Sequence, residues 1–147
     1  MHPYPHSYSA SAAGQATGLV SLSSPDLTGI ATAPPPQFDG PGGHWSPETL
    51  LCAALADCFV LTFRALARAT RLEWLHLECR IEGVLERVGR VARFTRFDNL
   101  ATLTVAPGAD ATKARQLLAQ AEHSCLISNS LRGERVLDAR VIFQETA

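Results

Sequence analysis

Two cysteines, Cys58 and Cys125, are the residues whose type and local sequence point most directly to chemistry in this chain. Cys58 lies in an apolar stretch that is predicted to be helical, and Cys125 opens the segment CLISNSL, residues 125–131. A thiolate is a strong nucleophile, and paired cysteines in a reducing compartment are more often redox-active than structural. If the fold brings these residues together across 67 positions, they predict redox chemistry.

The other two cysteines, Cys52 and Cys79, are interpreted as packing residues. Cys79 falls on the inward face of an alternating strand pattern, and Cys52 lies about 240° around a helix from Cys58. Free cysteine is among the most buried residue types, so burial is also the alternative interpretation for Cys58. The spacing of His44, His123 and the cysteines does not match zinc ligands, and no metal site is expected.

Length and composition predict a single soluble domain with a core of ordinary size. The chain has 147 residues, 46% of them hydrophobic, and a net charge of −1, which gives no reason to expect nucleic acid or an acidic membrane as a partner. We expect no apolar run of membrane-spanning length and no secretory signal, and so predict a cytoplasmic protein. Residues 1–15 are predicted to form a flexible tail, with one domain over residues 16–147.

A long helix is predicted to begin at Ser46, which is a favourable N-cap residue followed by Pro47 at the first helical position. Glu48 complements the positive end of the helix dipole. The helix is expected to end near Ala69. Its first half is apolar nearly all round, which predicts burial on most sides, by its own domain or by a partner chain.

Shorter patterns flank this helix. Two short strands are predicted near residues 18–22 and 29–32, and alternation after residue 74 predicts a long antiparallel hairpin that turns at Val88-Gly89-Arg90. A helix capped by Asp110, a short helix over residues 125–131 and a strand over residues 136–143 follow. The order β-β-α-β-β-α-α-β predicts an α+β fold with a mostly antiparallel sheet.

Two separated segments resemble the cysteine signatures of the OsmC/Ohr family, the osmotically inducible and organic hydroperoxide resistance proteins. The first comprises SPETLL from Ser46, the following AALA and Cys58, and the second is CLISNSL from Cys125. The spacing of Glu48 and Cys58 also matches, and the resemblance covers roughly residues 16–145. It implies an OsmC-like fold with a long buried central helix, assembled as an intertwined homodimer with the central helices at the interface.

The resemblance also implies a thiol-dependent peroxidase that reduces organic hydroperoxides and, in some members, hydrogen peroxide. Cys58 would attack the peroxide and become a sulfenic acid, and Cys125 would condense with it to a disulfide. An external dithiol reductant, a lipoyl group or a small thiol, would then reduce that disulfide. No metal or organic cofactor is implied. Sulfenic acid is the first oxidation product of a thiolate, and a neighbouring thiol protects it from further oxidation.

One expected residue is missing. In the family, an arginine from the N-terminal strands activates the first cysteine and pairs with the glutamate that matches Glu48. No Lys or Arg precedes Arg64 in this chain. Arg64, Arg68, Arg93 and Arg96 are the candidate replacements. The missing arginine also motivates an alternative function, a non-peroxidase OsmC-like homodimer that binds a small molecule or senses redox state.

Two expectations concern the surroundings of the cysteines. Cys125 at a helix N-terminus is expected to favour the thiolate, whereas Cys58 in mid-helix needs help from another group. Ten residues of helix separate Glu48 from Cys58 by about 15 Å, so we expect Glu48 to approach Cys58 of the partner chain. The alternative is that Glu48 only complements the helix start.

Overall fold

The computed structural model describes residues 1–146 and contains two compact units, Met1–Leu50 and the remainder from Leu51 onward. The boundary falls in the first turn of the long helix. The structure therefore does not test the predicted single domain over residues 16–147, which stays a prediction.

The first unit contains a three-stranded antiparallel sheet in the order β1 (Ser11–Ala13), β2 (Val20–Ser23) and β3 (Ile30–Thr32). A short 3-10 helix over Pro36–Phe38 follows. Strands β2 and β3 match the two predicted strands. The tail predicted over residues 1–15 is wrong for residues 11–13, which pair with β2. Small Ser and Ala side chains gave no alternating pattern there, and backbone pairing alone forms β1.

The long helix α1 spans Pro47–Thr70, and Ser46 caps its start as predicted. The Thr49 N–H donates to Ser46 Oγ at 3.2 Å, and the Ser46 N–H donates to Thr49 Oγ1 at 2.9 Å. These reciprocal bonds satisfy donors that a helix start otherwise leaves free. The observed end lies one residue beyond the predicted one.

Helix α1 is buried along one stripe only. Its buried residues follow at intervals of four, Leu55, Phe59, Phe63 and Ala67, while Leu61 is 48% exposed. Residues 1–146 of one chain therefore do not bury the helix on most sides. Contrary to our expectation, the helix is long and apolar enough to cross a membrane, although core helices of soluble proteins also meet this test. The prediction that the protein has no membrane partner stays a prediction.

The second unit contains a sheet in the order β4 (His76–Val88), β5 (Val91–Val105) and β6 (Glu134–Phe143). Strands β4 and β5 form the predicted hairpin, with Val88 opposite Val91 at its turn. The pairing shifts between Val84 and Leu85, next to Gly83. A Cβ on Gly83 would lie 2.9 Å from Phe94, so this close approach requires glycine.

Helices α2 (Ala111–Ser124) and α3 (Leu126–Asn129) connect β5 to β6, and this crossover makes β6 parallel to β5. The Asp110 side chain caps α2 by accepting the Lys113 N–H at 3.0 Å. The core joins α1 and α2 to the sheet through Phe59, Phe63, Ala67, Leu77, Ala101, Leu103, Val105, Ala114, Leu117, Leu118 and Ala121. The predicted α+β class with a mostly antiparallel arrangement is confirmed.

Candidate functional site

Cys125 occupies the junction between α2 and α3. It is the C-cap residue of α2 and the N-cap residue of α3, and its backbone is extended, with φ of −63° and ψ of 113°. Only 1% of its surface is exposed. The predicted position at a helix N-terminus is thus confirmed, in a place that excludes most solvent.

The pKa of the Cys125 thiol is raised to about 11, and burial is the main cause. Interaction with the Cys58 thiol also raises this pKa, whereas backbone N–H groups of Ser128 and Ile127 lower it. The expectation that the helix start favours the Cys125 thiolate is therefore wrong in its net effect. Burial disfavours the charged thiolate, and this effect on the pKa is larger than the opposite effect of two backbone N–H groups in a single-turn helix.

Cys58 lies half-buried on α1 and interacts with Cys125, so the fold brings together the two cysteines singled out in the sequence. Leu55 and Phe59, which flank Cys58 on the helix, line a narrow crevice together with Cys125. The Cys58 Sγ atom lies 3.9 Å from Thr62 Oγ1. All four cysteines are free thiols. Two adjacent thiols can form a disulfide when one of them is oxidised.

Arg135 from β6 holds the backbone around Cys125. Its Nη1 atom lies 2.7 Å from Ser128 Oγ, 3.0 Å from Asn129 Oδ1 and 3.4 Å from the carbonyl oxygen of Glu122. These acceptors lie three residues before Cys125 and three and four residues after it. One guanidinium group therefore joins both sides of the α2–α3 junction.

A second polar network lies on the sheet side of Cys125. The Cys79 thiol donates to Asn99 Oδ1 at 3.0 Å, and Asn99 Nδ2 donates to Glu122 Oε2 at 2.9 Å. Asn99 is 3% exposed, and it lines the same crevice as Cys125. The pKa of Cys79 is raised to about 12. Burial is the largest cause, followed by the negative charges of Glu122 and Cys125. Cys79 packs against the core, as predicted, and stays a neutral thiol.

Cys52 also packs, as predicted. Its Sγ atom lies 3.1 Å from the position that a Cβ on Gly83 would occupy. Burial raises the pKa of Cys52, against the lowering effect of a backbone hydrogen bond from Gly83. Its thiol is thus less acidic than a free cysteine.

Glu48 lies in the first turn of α1, in the first unit. Its Oε2 atom is buried and has no hydrogen-bond partner among residues 1–146. Glu48 lines an apolar groove of about 520 Å³, together with Ala12, Val20, Leu22, Thr32, Ala33, Pro34, Pro35, Phe38, Pro47 and Leu50. A buried carboxylate oxygen without a hydrogen-bond partner destabilises the folded chain, and most buried polar groups in proteins have such a partner.

No hydrogen bond joins Cys58 to a basic side chain within the described part of the chain. Of the candidate replacements for the missing arginine, Arg64, Arg68 and Arg93 are exposed. Arg96 is exposed as well, and its Nε atom donates to Asp98 Oδ1 at 2.7 Å. The structure places none of the four in hydrogen-bonding contact with Cys58.

Three residues of this site were missed from the sequence: Asn99, Glu122 and Arg135. Asn99 carried a usable signal, because it is a polar residue at an inward position of β5, between Phe97 and Ala101. Glu122 and Arg135 carried none, since charged residues on a helix and a strand usually face solvent.

The sequence of this chain is similar to those of known proteins. The model of the family described as OsmC-like protein matches residues 40–139. The uncharacterized protein YmaD of Bacillus subtilis is 30% identical over 112 residues, which cover 73% of this chain and 75% of YmaD.

Solved structures share the fold. An organic hydroperoxide resistance protein OsmC from Legionella pneumophila superposes with a TM-score of 0.74 at 24% identity, over 95% of this chain and 98% of its own. An OsmC-like protein from Vibrio cholerae gives a TM-score of 0.82 at 16% identity, over 92% and 99% of the two chains. At these identities the likeness shows the fold alone.

Proposed function

The chain belongs to the OsmC-like protein family, and we propose that it is a thiol-dependent peroxidase that reduces organic hydroperoxides. The observation that carries this proposal is the interaction of the half-buried Cys58 thiol with the buried Cys125 thiol. The name of the Legionella relative, an organic hydroperoxide resistance protein, supports the choice of substrate.

In the first step, the Cys58 thiolate attacks the hydroxyl oxygen of the hydroperoxide. A sulfur–oxygen bond forms, the oxygen–oxygen bond breaks, and the leaving alkoxide takes up a proton to become an alcohol. Cys58 is thereby oxidised by two electrons to a sulfenic acid. Cys58 suits this role better than Cys125 because a hydroperoxide can reach it more easily. Cys58 is half-buried, whereas only 1% of the Cys125 surface is exposed.

In the second step, the Cys125 sulfur attacks the Cys58 sulfur and displaces the sulfenic oxygen, which leaves as water with the thiol proton. The product is a Cys58–Cys125 disulfide. An external dithiol, a lipoyl group or a small thiol, returns two electrons by thiol–disulfide exchange and becomes the disulfide. The cycle uses no metal and no organic cofactor.

We further propose that the active form is a homodimer. The exposed apolar flank of α1 and the apolar groove beside Glu48 are surfaces that a second copy would cover. In this assembly Glu48 of one protomer approaches Cys58 of its partner, and its buried Oε2 atom then gains polar neighbours. The protein is proposed to act in the cytoplasm, without nucleic-acid or membrane partners.

A second candidate is a non-peroxidase homodimer of the same fold that binds a small molecule or senses redox state. The observation that favours it is the lack of any Lys or Arg before Arg64, together with the absence of a basic hydrogen-bond partner for Cys58 in residues 1–146. Such a protein would keep both thiols without rapid turnover.

Steady-state turnover separates the candidates. The reduced protein is mixed with cumene hydroperoxide and dihydrolipoamide, and loss of the hydroperoxide is measured. The peroxidase is expected to consume many equivalents per chain, and Cys58→Ser is expected to abolish this consumption. Equal consumption by wild type and Cys58→Ser would refute the peroxidase proposal.

A further inference from the structure

Arg135 is the residue outside the cysteine pair whose contacts bear most directly on Cys125. Its Nη1 atom contacts the Glu122 carbonyl oxygen, Ser128 Oγ and Asn129 Oδ1, and so connects β6 to both sides of the α2–α3 junction. Charged donors make hydrogen bonds that are shorter and stronger than neutral ones, and the 2.7 Å bond to Ser128 is of this kind.

One acceptor of Arg135, Asn129, is itself bonded to the Cys125 turn. The Asn129 N–H donates to the Cys125 carbonyl oxygen at 2.9 Å. Asn129 Nδ2 also donates to the carbonyl oxygen of His123 at 3.1 Å. A helix of four residues cannot hold its own geometry, so this position depends on contacts from outside.

We propose that Arg135 is a positioning residue for the resolving thiol: it fixes the α2–α3 junction so that the Cys125 sulfur faces Cys58. Arg135 does not touch the reacting atoms. Its effect is confined to the step in which Cys125 attacks the sulfur of Cys58, and the oxidation of Cys58 itself does not depend on it. The inference rests on the proposed pairing of Cys58 with Cys125, and it does not require that a peroxide be the oxidant.

The test uses 5,5′-dithiobis(2-nitrobenzoate) in place of a peroxide. The Cys58 thiolate attacks the disulfide of this reagent, forms a mixed disulfide and releases one thionitrobenzoate. Cys125 then loses its proton to solvent and attacks the Cys58 sulfur, which releases a second thionitrobenzoate and leaves the Cys58–Cys125 disulfide. With the reagent at one equivalent, the two releases are followed separately by absorbance, and peptide mapping identifies the disulfide.

Arg135→Ala is expected to slow the second release by about ten- to a hundredfold, because a displacement of about 1 Å is enough for such a loss. The first release should stay unchanged. Arg135→Lys should recover part of the rate, since it keeps a charged donor. The matched control is Arg140→Ala on the same strand, which removes an exposed pair with Asp138 and should leave both releases unchanged.

Ser128→Ala and Asn129→Ala extend the test, because each removes one acceptor and leaves Arg135 in place. Both should slow the second release, even if Arg135→Ala does not fold. An unchanged second release in all folded variants would overturn the proposal, as would a wild-type protein with no second release. A wild type that shows both releases but consumes no hydroperoxide would refute the peroxidase function and leave the role of Arg135 intact.

Discussion

The Cys58 Sγ atom and the Thr62 Oγ1 atom lie 3.9 Å apart on successive turns of α1. This separation is within reach of a weak hydrogen bond to sulfur, in which the hydroxyl donates once Cys58 is a thiolate. Within residues 1–146, Cys58 has no hydrogen bond from a basic side chain. We therefore expect the Thr62 hydroxyl to stabilise a negative charge on Cys58.

Replacing this hydroxyl gives the first prediction. Thr62→Val should slow the oxidation of Cys58 by hydroperoxide by about two- to tenfold, which corresponds to the net worth of one hydrogen bond. Thr62→Ser keeps the hydroxyl and serves as the control. Stopped-flow measurement of sulfenic acid formation in a single turnover gives the rate, and equal rates for Val and wild type would show that the hydroxyl has no part in the reaction.

The pKa of Cys125, raised to about 11, predicts the pH dependence of the disulfide step. A raised thiol pKa means that the thiolate is scarce at neutral pH and grows about tenfold with each pH unit below that pKa. Disulfide formation after a single oxidation of Cys58 should therefore accelerate from pH 7 to about pH 10. Rapid acid quenching and alkylation of free thiols measure it. A plateau near pH 8.5, typical of an exposed thiol, would contradict the burial argument.

Hybrid dimers test whether Glu48 acts across the dimer. Chains carrying Glu48→Ala and chains carrying Cys58→Ser are expressed together with different tags, and the mixed dimer is purified. If Glu48 serves the partner's Cys58, one site of the mixed dimer is complete and about half of the wild-type turnover should return, as two-fold symmetry requires.

The Glu48→Ala and Cys58→Ser homodimers provide the reference values for this experiment, low and absent turnover respectively. If Glu48 instead served Cys58 of its own chain, the mixed dimer would contain no complete site. The mixed dimer has one Cys58, whereas the Glu48→Ala homodimer has two. Turnover per Cys58 no higher than that of the Glu48→Ala homodimer would therefore reject the proposal that Glu48 acts on the partner's Cys58.

Local signals made much of the fold predictable. Ser46 and Pro47 mark the start of α1, Gly89 marks the hairpin turn and Asp110 marks the start of α2, because caps and turns depend on residues within a few positions. The same locality explains why β1 was missed. Its small residues pair with β2 through the backbone, and no side-chain pattern records that pairing.

The candidate site was predictable only in part. The sequence singled out Cys58 and Cys125, and it placed Cys125 at a helix start. The sign of its pKa shift depends on how much of the thiol the rest of the unit covers, which the local sequence does not contain. The contacts of Arg135 with Ser128 and of Asn99 with Glu122 likewise join residues whose proximity only the three-dimensional fold determines.

Counting free thiols tests the proposed oxidation of Cys58 and Cys125 most directly. The fully reduced protein, with four free cysteines per chain, is treated with one equivalent of cumene hydroperoxide, denatured under acid and titrated. Two thiols per chain are expected to disappear in wild type, with peptide mapping to Cys58 and Cys125, and none of the three in Cys58→Ser. Four thiols remaining in the treated wild-type protein would contradict the proposed peroxidase chemistry.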